Sequence, residues 1–337
     1  MKALVLTPEL SLRMADRPAP SCTAPDHVVF RVAQTGICGT DRGVLLGKFP
    51  AVPGVVMGHE AVGEVVRVGD AVTLVEPGTR VILNPTLYCG HCAPCRRGRL
   101  NFCLNKEGTE IGLDRDGAFA EYMLIEERFL HPIPDGMSYD RAVLVEPVAC
   151  VLNNLDAVRL LPSDTVTVLG GGPIGVLAAL VADHYGCPTR LVEPDPFRRG
   201  AATKFYEGVD GCAVETVAGA SAEARTDVTI DAVGNLLTEA CALTEDLGRV
   251  VVMGFDTRAR AEVAPLELVR RGLTLLGAGD YNSLVFPRAL DLARRLPLEG
   301  LVTHRFPLGE FDAAFDLING GGAGYSALKV VIEGRAA

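Results

Sequence analysis

The sequence predicts an α/β protein in two parts, a mostly-β domain formed by residues 1–146 and 283–337 and a doubly wound parallel sheet over residues 147–282. Three observations carry this. In the first 130 or so residues, short segments rich in Val, Gly and Pro are separated by turn residues, the texture of β-structure. From Leu144 onward, strand-like and helix-like patterns alternate, which implies parallel βαβ units with helices on both faces. A chain of 337 residues is also too long for one ordinary core.

Taken in order, residues 1–6 read as a first strand, apolar too briefly before Thr7-Pro8-Glu9 to be the core of a secretion signal. Residues 28–32, 61–68 and 80–83 are further strands. Four cysteines then fall within fifteen residues, Cys89, Cys92, Cys95 and Cys103, spaced C-x2-C-x2-C-x7-C. Gly90, His91, Pro94 and Gly98 supply turn chemistry, so one short loop can wrap a tetrahedral zinc ion. Four thiolates leave no coordination position open, which makes this a structural site. The rival is a pair of disulfides. Against it stand the absence of a secretion signal and the scatter of the other six cysteines (Cys22, Cys38, Cys150, Cys187, Cys212 and Cys241), a pattern of reduced thiols in the cytoplasm.

The parallel part reads as strand 165–169, helix 174–185, strand 189–193, helix 198–207 and strands 228–231 and 250–253. Helices at 287–295 and 309–318 and a strand at 328–332 close the chain. Gly170-Gly171-Gly172-Pro173-Ile174-Gly175 fits G-x-G-x-x-G, and its place between a strand and a helix makes that weak motif informative. Gly170 permits the tight turn, Gly172 the approach of a pyrophosphate, and Gly175 close helix–strand packing, while the helix N-terminus attracts the anion. Glu193 ends the next strand, near the spacing expected of the acid that binds a ribose 2′-hydroxyl, so NAD is favoured over NADP. Asp195 competes for that role, and Arg198 could meet a phosphate or stack on adenine. Pro173 and Ile174, with Gly254 and Phe255 after strand 250–253, complete the expected cofactor-binding set.

Net charge and hydropathy narrow the partners. A formal charge of -10 argues against nucleic acid, and the run Arg96, Arg97, Arg99 is too short to reverse this. The longest apolar run, 166–182, is interrupted near its start by three glycines and a proline, so no membrane span is expected. In the β-rich part, Cys38 in Gly36-Ile37-Cys38-Gly39-Thr40-Asp41 and His59 in Gly58-His59-Glu60 offer one thiolate and one imidazole, a mixed pair typical of zinc sites open to substrate. Glu60 adjoins His59, and Glu146 precedes Pro147 at the domain boundary.

These motifs, with Gly117-Ala118-Phe119-Ala120-Glu121-Tyr122 and Thr303-His304-Arg305-Phe306-Pro307-Leu308, run in the order found in zinc-dependent medium-chain dehydrogenases. The whole chain resembles the polyol (sorbitol-type) and threonine dehydrogenase branch of that family. The resemblance implies a GroES-like catalytic domain, a Rossmann domain and two zinc ions per subunit. It makes Cys38 and His59 catalytic ligands, Glu60 and Glu146 the carboxylates that ligate zinc or hold its water, and Thr40 the hydroxyl that passes on the substrate proton. Glu193 and Arg198 match the pair that grips the adenosine ribose. The resemblance further implies a cytoplasmic homodimer or homotetramer acting on a small polyol or cyclitol.

Two departures matter. Gly43 stands where members often carry a relay histidine, leaving water or Asp41 as the proton's way out. Asp280 precedes Tyr281 where sorbitol-type members have arginine, which favours a neutral or amine-bearing substrate. Asp41, Phe119, Asp280 and Tyr281 are the candidate substrate contacts. The run Glu193-Pro194-Asp195-Pro196-Phe197-Arg198-Arg199 resembles aminocyclitol dehydrogenases. The expected reaction is reversible oxidation of a secondary alcohol to a ketone. Its rivals are an epimerase or lyase working through a transient ketone on tightly held NAD, and a nucleotide-binding zinc protein without catalysis.

Overall fold

The computed structural model describes residues 1–221, 223–320 and 327–334. Residues 321–326 and 335–337, assigned above to the β-rich domain, lie outside the described residues. Of the described residues, 1–146, 282–320 and 329–334 form one compact unit, and 147–281 with 327–328 form a second.

In the first unit, β1 (Lys2–Leu6) and β2 (Leu12–Asp16) form an antiparallel pair. They are followed by β3 (His27–Gly36), α1 (Gly39–Leu45), β4 (Glu60–Val68), β5 (Arg80–Leu83), α2 (Ala93–Arg96), β6 (Tyr122–Glu126), β7 (Leu130–Pro132) and α3 (Tyr139–Ala142). The long strand β3 is the hub, pairing antiparallel with both β4 and β6. Its inward side chains Val28, Phe30 and Val32 meet Val65, Val81, Leu83 and Phe129 in one dry core. Apolar burial of this kind stabilises by about 25 cal/mol per Å² of surface removed from water.

Helix α4 (Val145–Val158) leads into the second unit. There β8 (Val166–Leu169), α5 (Pro173–His184), β9 (Thr189–Val192), α6 (Pro196–Glu207), β10 (Glu215–Val217), β11 (Thr226–Asp231), α7 (Leu237–Leu243), β12 (Thr244–Val252), α8 (Pro265–Arg271) and β13 (Thr274–Gly277) alternate. All six strands are parallel, in the order β10-β9-β8-β11-β12-β13. The predicted helix 174–185 begins one residue earlier, at Pro173, because proline's fixed φ and missing N–H suit the first helical position. Strands β10 and β13 and helices α7 and α8 are additions to the sequence reading. The two strands are short sheet edges, and α8 buries none of its residues, so it lacks an apolar stripe.

The chain then returns to the first unit with α9 (Phe286–Ala293), β14 (Val302–Pro307), α10 (Phe311–Ile318) and β15 (Lys329–Glu333). Strand β15 pairs antiparallel with β3, placing Val331 opposite Gly36, and β14 extends the sheet beyond it. This return completes the seven-stranded sheet β14-β15-β3-β4-β5-β7, with β6 on the side of β3. It also brings the last strand beside Cys38.

Candidate active site and zinc centres

The cysteine lobe folds around α2, where Cys92 is the N-cap and Pro94 occupies the first turn. All four sulfurs lie within 4.8 Å of one another, with Cys89–Cys95 at 4.0 Å and Cys92–Cys103 at 3.9 Å. A tetrahedron with metal–sulfur bonds of about 2.3 Å has sulfur–sulfur edges of about 3.8 Å, so the set fits zinc closely. Burial raises the Cys89 thiol, but hydrogen bonds from the backbone of Cys92 and His91 outweigh it and draw the group down to about 5. Burial and the neighbouring Cys92 push Cys95 up to about 12. Four sulfurs this close make a site that a zinc ion would hold as thiolates.

The second cluster joins three elements. Cys38 caps the N-terminus of α1, and its N–H donates to Asp41 Oδ2 at 2.8 Å, so the turn and the helix start are tied together. Glu60 opens β4 directly after His59, and the ligand atoms of Cys38, His59 and Glu60 lie within 4.8 Å of one another. One thiolate, one imidazole and one carboxylate, with Cys38 and His59 only half-buried, suit a zinc ion with a position open to substrate. Thr40 Oγ1 is 3.6 Å from Cys38 Sγ. Burial by itself would lower the pKa of His59, yet Asp41, Cys38 and Glu146 raise it well above the ordinary value. Glu146, buried in the first turn of α4, lies outside the three-residue cluster but acts electrostatically on His59 and on Lys329.

Lys329 is the residue that sequence reasoning missed. It is 2% exposed, its Nζ donates to Ile37 O at 3.0 Å, and it is ion-paired with Glu60. Burial lowers its pKa, but Glu60 and Cys38 outweigh this and hold it above the usual lysine value. Gly36 makes room, since a Cβ there would stand 2.2 Å from Glu60 Oε2 and 2.7 Å from Lys329 Cε. A lysine inside the closing apolar strand was the available signal, because a charge in such a place is buried only if paired.

In the second unit, residues 170–175 span the end of β8 and the start of α5. Gly170 has φ +103°, and a Cβ on Gly175 would stand 1.8 Å from Gly170 O, so the turn closes only with glycine at both positions. Gly172 is the N-cap of α5, with open space where its side chain would be. Glu193, 3% exposed, accepts the N–H of Gly171 on Oε2 at 2.8 Å and that of Asp195 on Oε1 at 2.9 Å. Arg198 Nη1 stands 3.5 Å from the same carboxylate. Asp195 caps α6 by accepting the N–H of Arg198. Gly254 and the exposed Phe255 follow β12 at the same carboxyl edge of the sheet.

Residues 24–135 match the alcohol dehydrogenase GroES-like domain. The chain is 30% identical over 336 residues to D-arabitol-phosphate dehydrogenase of Enterococcus avium, covering 94% of this chain and 92% of that one. It is 35% identical over 304 residues to D-altritol 5-dehydrogenase of Agrobacterium fabrum, covering 85% and 87%. The chain belongs to the zinc-dependent alcohol dehydrogenase family. A Sinorhizobium meliloti protein described as a zinc-binding dehydrogenase, solved bound to NADP, superposes with a TM-score of 0.87 at 31% identity over 98% of each chain.

Membership makes this alcohol dehydrogenase an oxidoreductase that uses zinc and NAD or NADP, with a GroES-like domain and a Rossmann domain. Among the described residues no helix is long and apolar enough to cross a membrane. Two expected substrate contacts require correction. Phe119 is fully buried, packed edge-on against Phe315 and beneath Gly58, so it is core. Asp41 is also fully buried, holding the Cys38 turn with Oδ1 3.8 Å from His59 Nδ1, so it faces neither substrate nor solvent and offers the proton no direct exit. Asp280 is exposed and Tyr281 buried at the end of the second unit.

Replacing Cys103 with serine is expected to lower bound zinc from two atoms per chain to one and to reduce thermal stability. Metal analysis of the purified variant checks this, and a protein keeping both atoms would remove the lobe as a zinc site.

Proposed function

We propose that this dehydrogenase reversibly oxidises a secondary alcohol of a polyol, cyclitol or aminocyclitol to its ketone, with NAD as hydride acceptor. The cluster of Cys38, His59 and Glu60 ligand atoms within 4.8 Å carries the reading. Zinc bound there supplies a Lewis acid for the alcohol oxygen, and NAD supplies the hydride acceptor. Cys38, His59 and Glu60 would hold the metal, with Glu146 as the nearby second carboxylate. Thr40 Oγ1, beside Cys38 Sγ, takes the alcohol proton. Asp41 keeps the Cys38 turn in register with His59. The two relatives described above are named for D-arabitol phosphate and D-altritol, which supports the polyol part of this class.

The test is an NAD-reduction screen over polyols, cyclitols, aminocyclitols, sugars and simple diols. Turnover of at least one of the first three groups is expected; activity confined to simple diols would remove the substrate class. We also expect a cytoplasmic homodimer or homotetramer on the family resemblance, which light scattering of the purified protein checks for assembly.

The preference for NAD rests on Glu193, whose buried carboxylate would repel a 2′-phosphate. Glu193→Ser is expected to lower kcat/KM for NAD by about tenfold and to raise the NADP-to-NAD ratio, about 1.4 kcal/mol of lost discrimination. Steady-state kinetics with both cofactors decide it. An unchanged ratio would take cofactor choice away from Glu193.

A further inference from the structure

Asp231 ends β11 and is fully buried. Its carboxylate accepts three backbone N–H groups of the loop that follows: Val233 and Gly234 on Oδ1 at 2.9 and 2.8 Å, and Leu236 on Oδ2 at 2.9 Å. Its carbonyl accepts two more, from Met253 at 2.8 Å and Gly254 at 3.0 Å, at the end of β12. One residue therefore organises two neighbouring connections at the carboxyl edge of the sheet.

The place is significant. Strand β11 lies beside β8, with Asp231 opposite Leu169, the residue before the glycine turn. From β8 the chain proceeds to β9 on one side, and from β11 to β12 on the other, so the order of strands reverses between them. Ligands of open parallel sheets bind in the crevice at such a reversal. Residues 170–175 form one wall of it, and the loop after Asp231 forms the other. The walls touch: a Cβ on Gly170 would stand 2.7 Å from Val233 Cγ2. Behind them, a Cβ on Gly234 would stand 2.4 Å from the carbonyl carbon of Gly254, so that side is packed backbone on backbone.

We propose that Asp231 is a positioning residue for the dinucleotide, fixing the loop 232–236 as the preformed wall facing the glycine turn. This rests on the reading of residues 170–175 as the dinucleotide loop. With asparagine, one side-chain oxygen can serve the donors at Val233 and Gly234, but the amide nitrogen then faces the N–H of Leu236, and a buried donor is left unmatched. The loop relaxes, and the cofactor must order it on binding.

The experiment is titration of NADH, followed by its fluorescence, into the zinc-loaded full-length protein and three variants, each below its own melting transition. Asp231→Asn is expected to weaken NADH binding on the order of tenfold with zinc content unchanged. A purely structural role would lower the melting temperature and leave the affinity of the folded protein alone, so wild-type affinity in this variant overturns the proposal. Gly172→Asp places a carboxylate in the open space at the α5 N-terminus and separates the two readings. It should abolish binding, and wild-type affinity there would overturn the dinucleotide loop itself. If it abolishes binding while Asp231→Asn does not weaken it, only the role of Asp231 falls. Should Asp231→Asn not fold, Val233→Ala trims a side chain that is 41% exposed and should weaken NADH by roughly threefold. Wild-type affinity in that variant overturns the wall contact.

Discussion

Alanine in place of His59 or Cys38 is expected to lower kcat/KM by roughly a thousandfold or more, the loss of several kcal/mol of transition-state stabilisation. Cys38 and His59 are the half-buried sulfur and nitrogen ligands of the cluster, the pair that zinc prefers over oxygen. Either change leaves two of the three ligand side chains of the cluster. The dinucleotide loop belongs to the other compact unit, so NADH titration of the same variants should give near wild-type affinity. Turnover is checked by NADH absorbance and metal content by elemental analysis. An alanine variant with normal turnover would refute the proposed zinc mechanism.

In the zinc-free protein, Lys329→Met should cost about 3–5 kcal/mol of stability in the first unit, because it leaves the Glu60 carboxylate buried without its cation. Both side chains are only 2% exposed, so water cannot replace the lost partner. Removing both charges is a different case. The double variant Glu60→Gln with Lys329→Met should recover most of the loss, since replacing a buried ion pair by neutral groups of similar volume is often neutral or stabilising. Denaturant midpoints of the two single variants, the double and the wild type complete the cycle. Equal midpoints for Lys329→Met and wild type would show that the pair contributes nothing to the fold.

The parts of the site that were legible are those closed by short stretches of chain. The lobe at Cys89, Cys92, Cys95 and Cys103 has all its candidate ligands within fifteen residues, and its spacing points to zinc. The turn at 170–175 carries its meaning in its strand and helix neighbours, and α5 starts within a residue of the expected place. Asp41 and Phe119 were misread for the opposite reason. Both sit inside informative motifs, but a motif does not say which side of the backbone faces the core. The capping bond to Cys38 turns Asp41 inward, and Phe315, from α10, covers Phe119. Strands β10 and β13 escaped notice because a three- or four-residue sheet edge has too few positions to show a period.

Taken alone, the amino-acid sequence determined the two-part α/β architecture, the closed zinc lobe, the glycine turn and the identity of Cys38 and His59 as candidate ligands. Periodicity, turn chemistry and ligand spacing are local properties, readable over a few residues. Only the tertiary structure decided that Glu60 joins those two, that Lys329 answers it, and that Asp231 holds the loop opposite the glycine turn. Lys329 reaches Ile37 across 292 positions of sequence because β15 pairs with β3. Strand pairing of that range leaves no periodic trace in the chain, yet it places the buried Lys329 against the buried Glu60 carboxylate.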